Sequence, residues 1–309
     1  PVINLENAVQ NIMRRAANAK EAQKDAIYFG VRELDARLGG LMPGDFVVCA
    51  GRPGMGKSLL ANRLKRSVCE FGLGCADFEL EMSGEDTATR VMCDMARDQG
   101  HVIHYSSVRR GEVRPDNLRI LAGCADELTR WPLLMDERPG LKISEIRARA
   151  RQAKADFARA GNRLALIVVD HIGLVRADTD RRGNKVAEMT DVSNAMKEMA
   201  KELGCVVLGV SQLSRGVENR DDKRPIMSDL RESGSIEQDA DVVLLLYREA
   251  YYLRQKEAVM APADYRAEME ACRHILEINA AKVRSGDPGL DVVDVDAATG
   301  SIRDKGYFE

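Results

Sequence analysis

The run Gly51-Arg52-Pro53-Gly54-Met55-Gly56-Lys57-Ser58 confines this chain more than any other stretch of it. It fits G-x-x-x-x-G-K-[ST], a loop whose backbone N–H groups wrap the phosphates of a nucleoside triphosphate. That loop works between a buried strand and a helix. Residues 45–50 read as the strand, and residues 59–71 carry the amphipathic rhythm of the helix. The glycines let the backbone turn sharply and approach phosphate closely. The helix N-terminus then offers free amides and a partial positive charge. Lys57 is expected to reach the β- and γ-phosphates and Ser58 to ligate Mg²⁺. The expected nucleotide-binding residues are therefore Gly51, Arg52, Pro53, Gly54, Met55, Gly56, Lys57, Ser58 and Leu59, with ATP and Mg²⁺ as cofactors.

With 309 residues the chain can bury a large core, as one large α/β domain or two small ones. Its net charge is −3, so any contact with nucleic acid has to come from local loops and not from a basic surface. The longest apolar runs, such as 164–169 and 242–246, are too short to span a bilayer. With no charged-then-apolar leader, a cytoplasmic protein is expected. The seven cysteines form no C-x-x-C pair, which argues for a reducing compartment and against a disulfide frame or structural zinc.

Residues 1–20 place Leu5, Val9, Ile12 and Met13 at helical spacing on a piece too short to fold alone, so the stripe must dock elsewhere. From Tyr28 onward strand and helix patterns alternate. Strands are predicted at 45–50, 75–80, 133–136, 164–170, 205–211 and 242–247. Between them the clearest helices are 85–97, 144–159 and 186–203. Short, nearly all-apolar strands separated by amphipathic helices imply a mostly parallel twisted sheet covered on both faces. Segments 275–283 and 290–296 flank a turn-like Arg284-Ser285-Gly286-Asp287-Pro288-Gly289, which predicts a C-terminal β-hairpin. Residues 249–273 are charged and helical in rhythm, and are expected to form a surface insertion.

Three strand ends carry further chemistry. The apolar run 164–170 ends in Asp170, the kind of carboxylate that approaches Mg²⁺ beside a phosphate loop. The next residue is His171, so the neighbouring glutamate that often activates water is missing. Glu81, just past strand 75–80, is the expected general base, because ligands gather at the carboxyl edge of an open α/β sheet. Glu79 lies on the same face but deeper in the strand. Gln212 closes another strand at that edge, where an amide can sense a γ-phosphate.

The block Ser228-Asp229-Leu230-Arg231-Glu232-Ser233-Gly234-Ser235-Ile236-Glu237-Gln238-Asp239-Ala240-Asp241 closely resembles a signature of DnaB-type replicative hexameric helicases. So do Leu80-Glu81-Met82, the phosphate loop, Ser211-Gln212-Leu213 and Lys282-Val283-Arg284, in matching order over about residues 27–300. The resemblance implies a RecA-like P-loop NTPase motor at 25–309, preceded by a linker helix at 1–24 that docks on a neighbouring subunit. It implies a homo-hexameric ring around single-stranded DNA that hydrolyses ATP between subunits and translocates 5′→3′. Glu81 is then the catalytic base, Asp170 the Mg²⁺-associated acid and Gln212 the γ-phosphate sensor. Arg284 becomes an arginine finger for the adjacent subunit, with Lys282 as its companion. Arg231, Glu232 and Gly234 fall where the family's central loop grips DNA, and Arg176, Arg181, Arg182 and Lys185 form a second basic loop.

The resemblance also implies primase and a helicase loader as partners. Members of the family usually carry a separate N-terminal domain, whereas here only residues 1–20 precede the motor. Asp170-His171-Ile172-Gly173 looks more like phage primase–helicases than bacterial members, which suggests a phage or prophage version in a bacterial cell. Two rivals share the phosphate loop: a RecA-like recombinase, and a non-hydrolysing ATP-binding clamp or loading partner.

Overall fold

The computed structural model describes residues 23–179 and 183–308, with Val9 and Met13, and it leaves the side chains of residues 231–235 undescribed. Apart from Val9, Met13, Gln23 and Lys24, the docking helix expected at 1–24 lies outside the described residues, as do the basic residues Arg181 and Arg182.

Along the chain run α1 (Arg32–Leu38), β1 (Phe46–Gly51), α2 (Lys57–Glu70), β2 (Gly74–Glu79), α3 (Gly84–Asp98), α4 (Tyr105–Arg109) and α5 (Pro115–Leu128). Next come β3 (Leu133–Asp136), α6 (Ile143–Arg159), β4 (Leu164–Asp170), α7 (Lys185–Leu203), β5 (Val206–Gln212), α8 (Gly234–Asp239) and β6 (Val242–Tyr247). The chain closes with α9 (Glu249–Gln255), α10 (Pro262–Cys272), β7 (Ile275–Val283), β8 (Gly289–Asp296) and β9 (Ser301–Arg303).

The strands form one nine-stranded sheet in the order β3-β2-β4-β5-β1-β6-β7-β8-β9. The first six are parallel, and β7, β8 and β9 continue the sheet antiparallel. Burial explains the difference. Strands β1, β2, β4 and β6 are buried at every position, as strands covered on both faces must be, whereas β7 alternates.

Side chains of successive strand residues point to opposite faces. Val47 and Cys49 of β1 therefore join Leu60 and Leu64 of α2 on one side. Phe46, Val48 and Ala50 join Ile146 of α6 and Met196 of α7 on the other. A satellite cluster, including Cys93, Ile103 and Cys124, packs α3 against α5.

The expected parallel sheet, helices on both faces and C-terminal hairpin are all present. Helices α1, α4, α5 and α8 and strand β9 go beyond the sequence reading. α5 shows why: of its fourteen residues only Leu121 and Cys124 are buried, so its apolar stripe is thin. The 249–273 segment needs correction. α10 has no buried residue and is a surface element, but α9 buries Ala250, Tyr252 and Leu253 and packs against the phosphate loop.

Candidate active site

The carboxyl ends of the parallel strands bring the predicted residues to one edge. Gly51 ends β1 directly opposite Gln212 of β5, and Asp170 ends β4 opposite Glu79 of β2. The loop from Arg52 to Gly56 then turns into α2. Gly54 and Gly56 have φ of +79° and +96°, the left-handed region that side chains resist. A Cβ on Gly54 would stand 2.5 Å from the Tyr251 ring, so the α9 tyrosine covers this loop closely.

Ser58 Oγ donates to Asp170 Oδ2 at 2.7 Å. A hydroxyl and a carboxylate at the first turn of α2 are hard oxygen donors of the kind that suits Mg²⁺. Asp170 is 2% exposed, and burial followed by the neighbouring Glu79 pushes its pKa up to about 6, against the Ser58 hydrogen bond. Lys57 Nζ donates to the Arg52 carbonyl at 3.1 Å. Burial pushes the Lys57 ammonium below its ordinary range, while Asp170 and Glu81 favour its charge. Arg52 is tied outward to Glu218 at 2.8 Å and to the Leu213 carbonyl at 2.9 Å. The phosphate loop is thus fastened to the chain just beyond Gln212.

A cavity of about 470 Å³ opens over the loop, lined by Lys57, Ser58, Glu81, His171 and Gln212 among others. Glu81 stands on its wet side, with a side chain 61% exposed and Oε2 3.8 Å from His171 Nε2. Burial lowers the His171 pKa, with Glu81 opposing. Arg90, Arg248, Tyr251 and Arg254 also line this cavity, and sequence reasoning missed all four. Arg248 is 5% exposed, and its Nε has no hydrogen-bond partner. Its signal was available, because Arg248 follows the carboxyl end of β6 just as Glu81, Asp170 and Gln212 mark theirs.

Beneath the site lies a second group that sequence reasoning missed. Lys65 Nζ of α2 bridges Asp77 Oδ2 and Glu79 Oε1, each at 2.7 Å, and all three residues are at most 2% exposed. The other oxygens, Asp77 Oδ1 and Glu79 Oε2, have no hydrogen-bond partner. Burial pushes the Asp77 carboxyl above its ordinary range, against the attraction of Lys65.

Lys282 and Arg284 do not join this group. β7 runs antiparallel to β6 with Val283 opposite Val242, so both cations lie at the amino edge of the parallel strands. Six residues of strand, on the order of 20 Å, separate them from the phosphate loop. Arg231 and Glu232, expected at the DNA loop, have undescribed side chains. Their backbone lies in the 3-10 turn Met227–Ser233, and Gly234 opens α8. That turn is anchored by Asp229, which takes Arg220 at 2.9 Å and whose carbonyl accepts from the Ser214 amide at 3.2 Å. Ser214 follows Gln212 by two residues. A further cavity of about 560 Å³, lined by Arg52, His171, Lys185, Gln212, Arg215 and Asp229, connects these parts. Arg176 is instead stitched by its backbone to Leu141 and Ile143.

Among the described residues no helix is long and apolar enough to cross a membrane. The DnaB-like helicase C terminal domain family matches residues 26–298. The replicative DNA helicase DnaB of Rickettsia bellii (strain RML369-C) is 37% identical over 278 residues, covering 84% of this chain and 54% of that protein. The replicative DNA helicase DnaB of Geobacillus stearothermophilus is 34% identical over 271 residues, covering 87% and 54%. This chain therefore spans about half the length of the curated relatives it matches. Among solved structures, the ATPase domain of G40P superposes with a TM-score of 0.83 at 26% identity, covering 98% of this chain and 99% of that one. A DnaB-like replicative helicase described with its interactions with primase gives 0.79 at 26% identity, covering 98% and 67%. From its phosphate loop to its terminal hairpin, this chain belongs to the DnaB-like helicase C-terminal domain family.

Proposed function

We propose that this chain is the motor of an ATP-dependent replicative DNA helicase that works as a homo-hexameric ring in the bacterial cytoplasm, in a phage or prophage version. One observation carries the reading: the phosphate loop and the Lys282–Arg284 pair occupy opposite edges of the same sheet. No chain brings the two together by itself. A head-to-tail ring does, because each protomer turns its cradle toward the next protomer's hairpin.

Within one protomer, the loop amides, Lys57 and the N-terminus of α2 hold the triphosphate, and Glu81 orients and deprotonates water. Ser58 and Asp170 would hold Mg²⁺, which supplies positive charge to the phosphate oxygens. Gln212 reads the γ-phosphate. Its change passes through Ser214 to Asp229 and the turn that carries Arg231, Glu232 and Gly234, which grip the backbone of single-stranded DNA. Arg284 of the next protomer, with Lys282, completes the charge neutralisation; such fingers contribute roughly 10³–10⁵ in rate. Polarity of 5′→3′ follows from the family. Primase, seen with a solved relative, and a loader are proposed partners of the longer protein.

ATP hydrolysis and forked-duplex unwinding test this reading. Wild type should show DNA-stimulated hydrolysis whose rate per chain rises with protein concentration, and Lys57→Ala and Glu81→Gln should lose it. Equal hydrolysis by wild type and Glu81→Gln removes Glu81 from its role. Full turnover by a monomer lacking the Arg284 guanidinium removes the shared site altogether.

A further inference from the structure

The hairpin cations are held in place within their own chain. Arg284 NH1 lies 2.8 Å from Asp241 Oδ1, and the Arg284 amide donates to the Asp241 carbonyl, also at 2.8 Å. NH2 donates to the Gln238 carbonyl at 3.3 Å. Lys282 Nζ donates to the carbonyls of Glu237 and Gln238 at 2.6 and 3.3 Å. The exposures differ sharply: Asp241 is 5% exposed, while the Arg284 side chain is 53% exposed. A buried carboxylate thus holds a cation that stands half in solvent.

Asp241 is itself fixed before it meets Arg284. Its Oδ2 accepts the Phe46 amide at 2.8 Å and the Lys197 ammonium. Phe46 opens β1, the strand that leads into the phosphate loop, and Lys197 also donates to the Gly44 carbonyl at 2.8 Å. One oxygen is committed to the framework and the other to the guanidinium. A guanidinium has five N–H donors, and this arrangement leaves some of them for phosphate.

We propose that Asp241 is the positioning residue of the Arg284 finger, fixing the direction in which the guanidinium leaves the sheet edge toward a neighbouring protomer's triphosphate. The proposal rests on Arg284 acting between subunits, as argued above. A side chain already restricted to the right direction gives up less freedom when it engages. A misplacement of about 1 Å at such a contact costs on the order of a hundredfold in rate.

Mixed particles separate this proposal from the reading beneath it. Arg284→Ala chains keep a sound cradle but lack the finger, and Lys57→Ala chains keep the finger but lack a working cradle. Each alone should be inactive, and an equal mixture should hydrolyse ATP. A donor carrying Lys57→Ala with Asp241→Asn should then lower kcat of the mixture about a hundredfold and leave KM for ATP unchanged, because the cradle is intact. The comparison is made at equal donor incorporation, read by native mass spectrometry. A donor carrying Lys57→Ala with Lys197→Met loses Asp241's other cation but keeps the Arg284 contact, and should support the mixture as well as the plain donor.

An inactive plain mixture defeats the shared-site reading, and this proposal with it. An active plain mixture that the Asp241→Asn donor supports equally overturns the role of Asp241 alone. So does a Lys197→Met donor that fails as badly as Asp241→Asn, since the loss then belongs to the whole sheet edge.

Discussion

Ser58 and Asp170, 112 positions apart in sequence, meet through a 2.7 Å hydrogen bond at the first turn of α2. The contact joins the strand ends of β1 and β4 across the intervening β5. It also sets a hydroxyl beside a carboxylate that burial has made unusually ready to hold a proton. Asp170→Asn should lower kcat for ATP roughly a hundredfold. Both Asp170→Asn and Ser58→Ala should raise the Mg²⁺ concentration needed for half-maximal hydrolysis, read by titrating Mg²⁺ at fixed ATP. An unchanged Mg²⁺ midpoint in both variants would remove the pair from metal binding.

Lys65 lies in the interior between two carboxylates. Removing one member of such a buried group leaves uncompensated charge. Lys65→Met should therefore cost about 3–5 kcal/mol of stability. Adding Asp77→Leu and Glu79→Leu to the same chain should recover most of that loss, because the charges then go together. Denaturant unfolding of the single and triple variants checks both statements.

Burial pushes the Asp77 carboxyl up to about 7, so the folded chain holds this proton more tightly than the unfolded one. Its stabilising effect is complete below the unfolded value of 3.8 and is lost as pH rises through about 7. Asp77→Asn cannot titrate. The stability of wild type relative to Asp77→Asn should therefore increase as pH falls from about 8 to about 5. Thermal unfolding of the two proteins across that range gives the sign, and the opposite trend contradicts it.

Gly54→Ala meets two obstacles. Its φ of +79° costs a residue with a Cβ roughly 1–2 kcal/mol, and the new Cβ falls 2.5 Å from Tyr251. ATP affinity should drop. Adding Tyr251→Ala should restore the part due to collision but not the part due to backbone conformation. Calorimetric titration of ATP into the three chains measures each share.

Much of this architecture was legible because its signals are local. The phosphate loop is a contiguous run, and the buried strands are contiguous apolar segments whose ends mark the site. Glu81, Asp170 and Gln212 were found by one rule, position at the carboxyl edge. Arg248 obeys the same rule, yet it falls between the strand read at 242–247 and the charged segment read at 249–273, and was assigned to neither. Lys65, Asp77 and Glu79 were illegible for a different reason. Asp77 and Glu79 alternate within an otherwise apolar strand, and only the packing of α2 over β2 reveals the ammonium they share. The link between Asp241 and Arg284 spans 43 positions and needs the antiparallel register of β6 and β7 to be seen.

Helix α8 contains six residues, about 9 Å of axis, too short to bend appreciably. Its last carbonyls, on Glu237 and Gln238, are gripped by Lys282 and Arg284, while its first residue, Gly234, adjoins the turn that carries Arg231 and Glu232. It is a strut tied at one end to β7 and continuous at the other with that turn. A displacement of the two cations is therefore carried along it as a rigid-body shift and re-aims the turn.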